Sequence, residues 1–121
     1  MKIIRQMLAV FIVITAIVGL SSCEKYSWMP EKINPVDSVH FATDIQPIFT
    51  ANCATCHTAI KRPDLREGKA YKSLTDGGYV TQPGETSLLY TKMTGSDHAP
   101  RSNDVDKQKV LIWINQGAHN N

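Results

Sequence analysis

The sequence predicts an all-α domain of about four short helices. Two observations point there. Apolar residues recur at helical spacing in separate segments, and each segment carries a start or stop signal. Strand patterning is weak: Tyr79-Val80-Thr81 is the one candidate, and it is short.

The first helix is expected from about Thr43 to Ala54. Thr43 suits the N-cap, and Gln46 suits the reciprocal partner of a capping box. Pro47 falls in the first turn, where its missing N–H is tolerated. Ile45, Ile48, Phe49, Cys53 and Cys56 share one helical face. The second helix is expected from about Glu67 to Leu74, ended by Thr75-Asp76-Gly77-Gly78. The third is expected from about Thr86 to Met93, with Thr86 as cap, Gly95 as stop, and Leu88, Leu89 and Met93 as its apolar positions. The last is expected from about Val105 to Gln116. Asp104 would cap it, Val110, Leu111, Trp113 and Ile114 would form its buried stripe, and Gly117 suits a left-handed stop.

Cys53-Ala54-Thr55-Cys56-His57 reads C-x-x-C-H, the attachment signature of a c-type haem. Two thiols add across two haem vinyl groups, and the intervening residues let one turn of backbone span them. The histidine follows at once, so His57 is the expected proximal iron ligand. Other readings of the motif fare worse. A thioredoxin-like C-x-x-C needs a βαβ setting that this sequence lacks. A structural zinc site needs a further spaced pair, and His40, His98 and His119 make none. A plain Cys53–Cys56 disulfide would leave His57 without a role.

Cys23 belongs to a different signal. Residues 1–22 have a basic start (Lys2, Arg5), an apolar run from Met7 to Leu20, and then small residues, the pattern of a secretory signal. The run is shorter than the roughly 20 residues a membrane span needs. Leu20-Ser21-Ser22-Cys23 resembles a bacterial lipobox, which implies cleavage before Cys23 and its lipidation. An ordinary signal peptide or an uncleaved anchor is the alternative. Residues 23–37 then read as a lipid-anchored linker with Pro30, Pro35 and alternating charge. Residues 38–121 form the domain. Covalent haem attachment and lipobox processing agree on one compartment. Both imply an exported bacterial lipoprotein, membrane-anchored on the periplasmic side or at the cell surface.

Charge excludes one class of partner. The formal net charge is +2, and loss of Lys2 and Arg5 with the signal leaves the remainder formally neutral. With no basic run and no aromatic–basic interleaving, nucleic acid is not an expected partner.

The layout of helix, C-x-x-C-H, loop, short helices and a C-terminal helix bearing Trp113 resembles small monohaem class I cytochromes c. More closely, the chain resembles planctomycete-type cytochrome c domains. The likeness runs through Val39-His40-Phe41, Asp44-Ile45-Gln46-Pro47-Ile48-Phe49, Leu65, Ala70-Tyr71, Leu74 and Gly77-Gly78. It continues through Pro83-Gly84, Ser87-Leu88-Leu89-Tyr90 and Trp113-Ile114-Asn115-Gln116-Gly117-Ala118, covering about residues 38 to 119. The resemblance implies a small cytochrome c fold around one covalent haem c and its iron, with Phe49 and Trp113 meeting where the first and last helices cross. It also implies that the Pro63 carbonyl accepts a hydrogen bond from the proximal histidine.

The chain departs from the family at the distal ligand. Where the related domains place a Met-Pro pair, this chain has Ala99-Pro100. His98, in the same loop, is the candidate distal ligand, and Met93, at the end of a helix, is the alternative. The remaining possibility is an open or water-bound site. The expected function is single-electron transfer with redox protein partners. The alternatives are an open-site haem sensor or small-ligand binder, and a haem subunit of a redox enzyme.

The anchor reading is tested directly in cells. The mature protein is expected to start at lipidated Cys23 and to fractionate with membranes. Cys23→Ser is expected to leave unprocessed or mislocalised protein, read by intact mass and by fractionation. A soluble mature chain starting elsewhere would refute the lipobox.

Overall fold

The computed structural model describes residues 1–7, Asn34 and residues 37–121. Cys23, most of the expected signal and nearly all of the linker lie outside the described residues. Among those described, no helix is long and apolar enough to cross a membrane.

The domain is all-α, with no strand among the described residues. A π-helical turn, Phe41–Ile45, runs directly into α1, Gln46–Asn52. Then come α2, Ala70–Asp76, and α3, Leu88–Thr94. The last helix is α4, Asp104–Asn115. Short 3₁₀ turns, Gly84–Thr86 and Ala99–Arg101, precede α3 and α4. Tyr79, in the one weak strand candidate, ties two helices together. Its N–H donates to the Leu74 carbonyl at 3.0 Å, and its carbonyl accepts from the Leu89 N–H at 2.8 Å.

The start of the first helix differs from the expected capping box. The Asp44 carboxylate accepts from the His40 N–H at 3.0 Å, while the Thr43 hydroxyl only donates to Asp44. The first N–H groups of the turn are satisfied from the far end of the domain. Asn121 accepts from Phe41 N–H through its side chain (2.9 Å) and from Ala42 N–H through its backbone carbonyl (2.9 Å). The Gln116 side chain likewise accepts from Val39 N–H at 3.0 Å. Helix starts need partners for their free N–H groups, and here tertiary contacts supply them. Pro47 does sit in the first turn of α1.

The other boundaries shift by one to three residues for identifiable reasons. Gly68 adopts φ +70°, so residues 67–69 form a turn and α2 starts at Ala70. Ser87, not Thr86, caps α3, its fully buried hydroxyl accepting from the Tyr90 N–H at 3.3 Å. Asn103, not Asp104, caps α4, accepting from the Asp106 N–H at 2.8 Å. Gly117 takes the left-handed stop as expected, with φ +101°.

The core joins Phe41, Ile45, Phe49, Leu74, Val110, Trp113 and Ile114. Phe41 is its junction. Its ring centre lies 6.4 Å from Phe49, 5.3 Å from Tyr71 and 5.3 Å from Trp113. The expected meeting of Phe49 with Trp113 is therefore bridged by Phe41. Leu111 is half-buried while Ile112 is buried. Leu111 leans toward Gly84, where an added Cβ would lie 2.9 Å from its Cδ1, so glycine is what lets the turn approach α4.

Phe41→Ala is expected to cost about 3–5 kcal/mol, because one ring serves three aromatic contacts. Asn103→Ala is expected to cost about 1 kcal/mol as a lost cap. Chemical denaturation of the purified protein measures both, and equal losses would contradict the hierarchy.

Candidate haem site

The motif sits where α1 ends. Cys53 leaves helical geometry with φ −127° and ψ −39°. Its own N–H and that of Ala54 both donate to the Phe49 carbonyl, at 2.9 and 2.8 Å. The Cys53 carbonyl then accepts from Cys56 N–H at 3.1 Å and from His57 N–H at 2.9 Å. The five residues thus form one tight turn, and the expected continuation of the helix to Ala54 does not occur. Cys53 is half-buried against the core, Cys56 is exposed, and both thiols are free. Burial pushes the Cys53 thiol pKa up, with smaller charge effects from Arg101 and Asp106.

His57 is held from one side. Its Nδ1 lies 3.2 Å from the Pro63 carbonyl oxygen. A carbonyl only accepts, so Nδ1 carries the proton and Nε2 keeps the lone pair of the neutral ring. Burial pushes the His57 pKa below its ordinary value, partly opposed by the hydrogen bond to that carbonyl.

The loop supplying the carbonyl is braced on three sides. Leu65 N–H donates to the His57 carbonyl at 3.0 Å. The Leu65 carbonyl accepts from Gln46 Nε2 at 3.2 Å, which ties the loop to α1. The Ser73 hydroxyl oxygen of α2 accepts from Asp64 N–H at 2.8 Å. Arg66 forks onto Asp64, Nε to Oδ1 at 2.9 Å and an η nitrogen to Oδ2 at 2.7 Å. That hydrogen-bonded guanidinium holds the Asp64 pKa down at about 2 from the usual 3.8.

Sequence reasoning named Pro63 but missed Gln46, Asp64, Arg66 and Ser73 as its supports. Gln46 braces this loop in place of a capping box, because its buried amide needs a partner beyond its own turn. The i, i+2 pair Asp64 and Arg66 was the available signal for the clamp.

His98 comes to the same place. It lies in the turn between α3 and α4, half-buried, with its ring centre 6.1 Å from that of His57 and the planes at 48°. Met93 does not join this pair: it is 7% exposed and belongs to the core cluster. Among the described residues, no group of three or more His, Cys, Asp or Glu side chains is placed to hold a bare metal ion.

The residues fit a covalently held haem. Two free thiols share one turn with an imidazole whose Nδ1 is already committed. No protein-family model matches this chain, and no curated protein or solved structure matches it. The likeness to cytochrome c domains rests on the residues quoted above.

The Asp64 clamp makes a pH prediction. A depressed carboxylate pKa contributes stability that is present above the ordinary value and is lost as pH falls toward about 2. Arg66→Gln is expected to return the Asp64 pKa toward its usual 3.8, read by carboxyl-carbon NMR titration. An unchanged titration would show that Arg66 does not hold it.

Proposed function

We propose that this protein is a monohaem c-type cytochrome that transfers single electrons while tethered to a membrane. The observation that carries the reading is the turn Cys53–His57, with two free thiols and a histidine whose Nδ1 donates to Pro63. Each thiol would add across one vinyl double bond, sulfur to one carbon and hydrogen to the other, leaving a thioether. Covalent capture by Cys53 and Cys56 would hold the porphyrin against the turn. His57 Nε2 would then bind the iron from the proximal side, with the Pro63 carbonyl fixing the ring's tautomer and orientation. Haem iron, when bound, supplies the one-electron ferric–ferrous couple.

The chain's own contribution is rigidity and access. The braced loop would limit movement of the His57 imidazole once it held the iron. Exposed Cys56 places the attachment turn at the surface, where a redox protein partner can approach. The all-α architecture of short helices agrees with a small cytochrome c fold. Membrane tethering through Cys23 is supported by the lipobox pattern alone. An open-site sensor or haem enzyme subunit needs a free distal face, and the closeness of the His98 ring to that of His57 weighs against it.

Expression with a cytochrome c maturation system is expected to give haem that survives acid-acetone extraction. Mass spectrometry is expected to place it on the peptide bearing Cys53 and Cys56. Cys53→Ala or Cys56→Ala should lower the yield of holo-protein, and His57→Ala should abolish normal ligation. Readily extracted haem, or none, would sink the proposal.

A further inference from the structure

We infer that His98 is the second axial ligand, so that the iron is held between two imidazoles in place of the histidine–methionine pair of related domains. The inference rests on the haem reading above and adds the identity of the distal group. Its first support is the spacing of the two rings, 6.1 Å between centres. A metal–imidazole bond is about 2 Å, and a ring centre lies about 1 Å beyond its nitrogen, so two imidazoles on one metal have centres roughly 6 Å apart. Rotation about the nitrogen–metal–nitrogen axis leaves the mutual plane angle unconstrained, and 48° is admissible.

The second support is how each ring is presented. His57 commits Nδ1 to Pro63, which leaves Nε2 for the metal. His98 rides on a closed turn: its N–H donates to the Gly95 carbonyl at 3.0 Å, and its carbonyl accepts from Arg101 N–H at 2.9 Å. The adjacent Ala99 N–H also donates to Gly95, at 2.8 Å. The backbone beside the ring is therefore fixed. Among the described residues, no hydrogen bond competes for the His98 imidazole nitrogens.

The third support is the placement of the rival. Met93 is 7% exposed and packs in the core with Leu89. Turning it toward the iron would empty that position, and close-packed interiors penalise such voids. The chain has thus moved its distal donor from a thioether to a nearby loop imidazole. A methionine ligand raises the potential of histidine-ligated haem, so its replacement lowers it. The partners would accordingly be donors and acceptors at the low-potential end of a chain, and small ligands would be kept off the iron.

The test uses matured holo-protein whose covalent haem has first been established by its pyridine haemochrome. The ferric wild type is expected to be low-spin and to lack the weak long-wavelength sulfur-to-iron band. The ferrous form is expected not to bind carbon monoxide. His98→Ala should gain a carbon monoxide adduct. His98→Met should gain the sulfur band and shift the midpoint potential upward, while Met93→Leu should keep the wild-type spectrum. A sulfur band in the wild type that Met93→Leu removes would overturn the inference. So would a high-spin wild type indifferent to His98→Ala. A chain that takes up no covalent haem would overturn the underlying reading instead, and the haemochrome separates that case from the other two.

Discussion

The hydrogen bond from His57 to the Pro63 carbonyl is the constraint on which the site depends. It fixes which nitrogen carries the proton and which way the other points. Neither is encoded in the C-x-x-C-H turn itself. An imidazole on a turn rotates about two side-chain bonds, and a metal ligand that rotates binds weakly. The chain answers by making the acceptor rigid. Gln46 from α1, Ser73 from α2 and the Arg66 fork on Asp64 all hold residues 64–65, immediately beyond Pro63. Only Arg66 and Asp64 are charged, and their pairing leaves the partly buried carboxylate compensated.

The rest of the fold delivers those supports to one place. Gln46 reaches the loop only if α1 is docked correctly. Docking of α1 runs through Phe41, which meets Phe49, Tyr71 and Trp113 at once. Residues 116–121 close the arrangement. Asn121 and Gln116 cap the turn that begins the first helix, the Ala118 carbonyl accepts from Tyr71, and the His119 carbonyl accepts from Trp113. A domain with such a small apolar core gains from these long-range polar ties. They also mean that the His57 imidazole is referenced, through a few contacts, to both ends of the domain.

Much of this was legible in the residues, and the exceptions share a cause. The C-x-x-C-H motif is readable because its spacing is local. Gly117 is readable because a left-handed stop demands a residue without a Cβ. The helix starts were misread by one or more residues at Thr43, Thr86 and Asp104. At Thr86 and Asp104 the neighbouring Ser87 and Asn103 make the local cap bond instead, and at Thr43 the free N–H groups are met from Asn121 at the far end of the domain. Leu111 was assigned to the core because periodicity sees a helix face and cannot see Gly84 opposite it. Gln46 was assigned a local role for the same reason. His98 and Met93 were both eligible as distal donors in the sequence. Only the fold separates them, one with its ring 6.1 Å from that of His57 and the other filling the core.

The proposed role is that of a scaffold that holds a one-electron haem centre. A potentiometric titration of the matured protein, followed through its haem absorption bands, tests this most directly. The account predicts one haem per chain, titrating reversibly as a single one-electron wave with no change in spin state between the two ends. An absence of haem, or a haem whose reduction is irreversible and accompanied by a change in coordination, would contradict it.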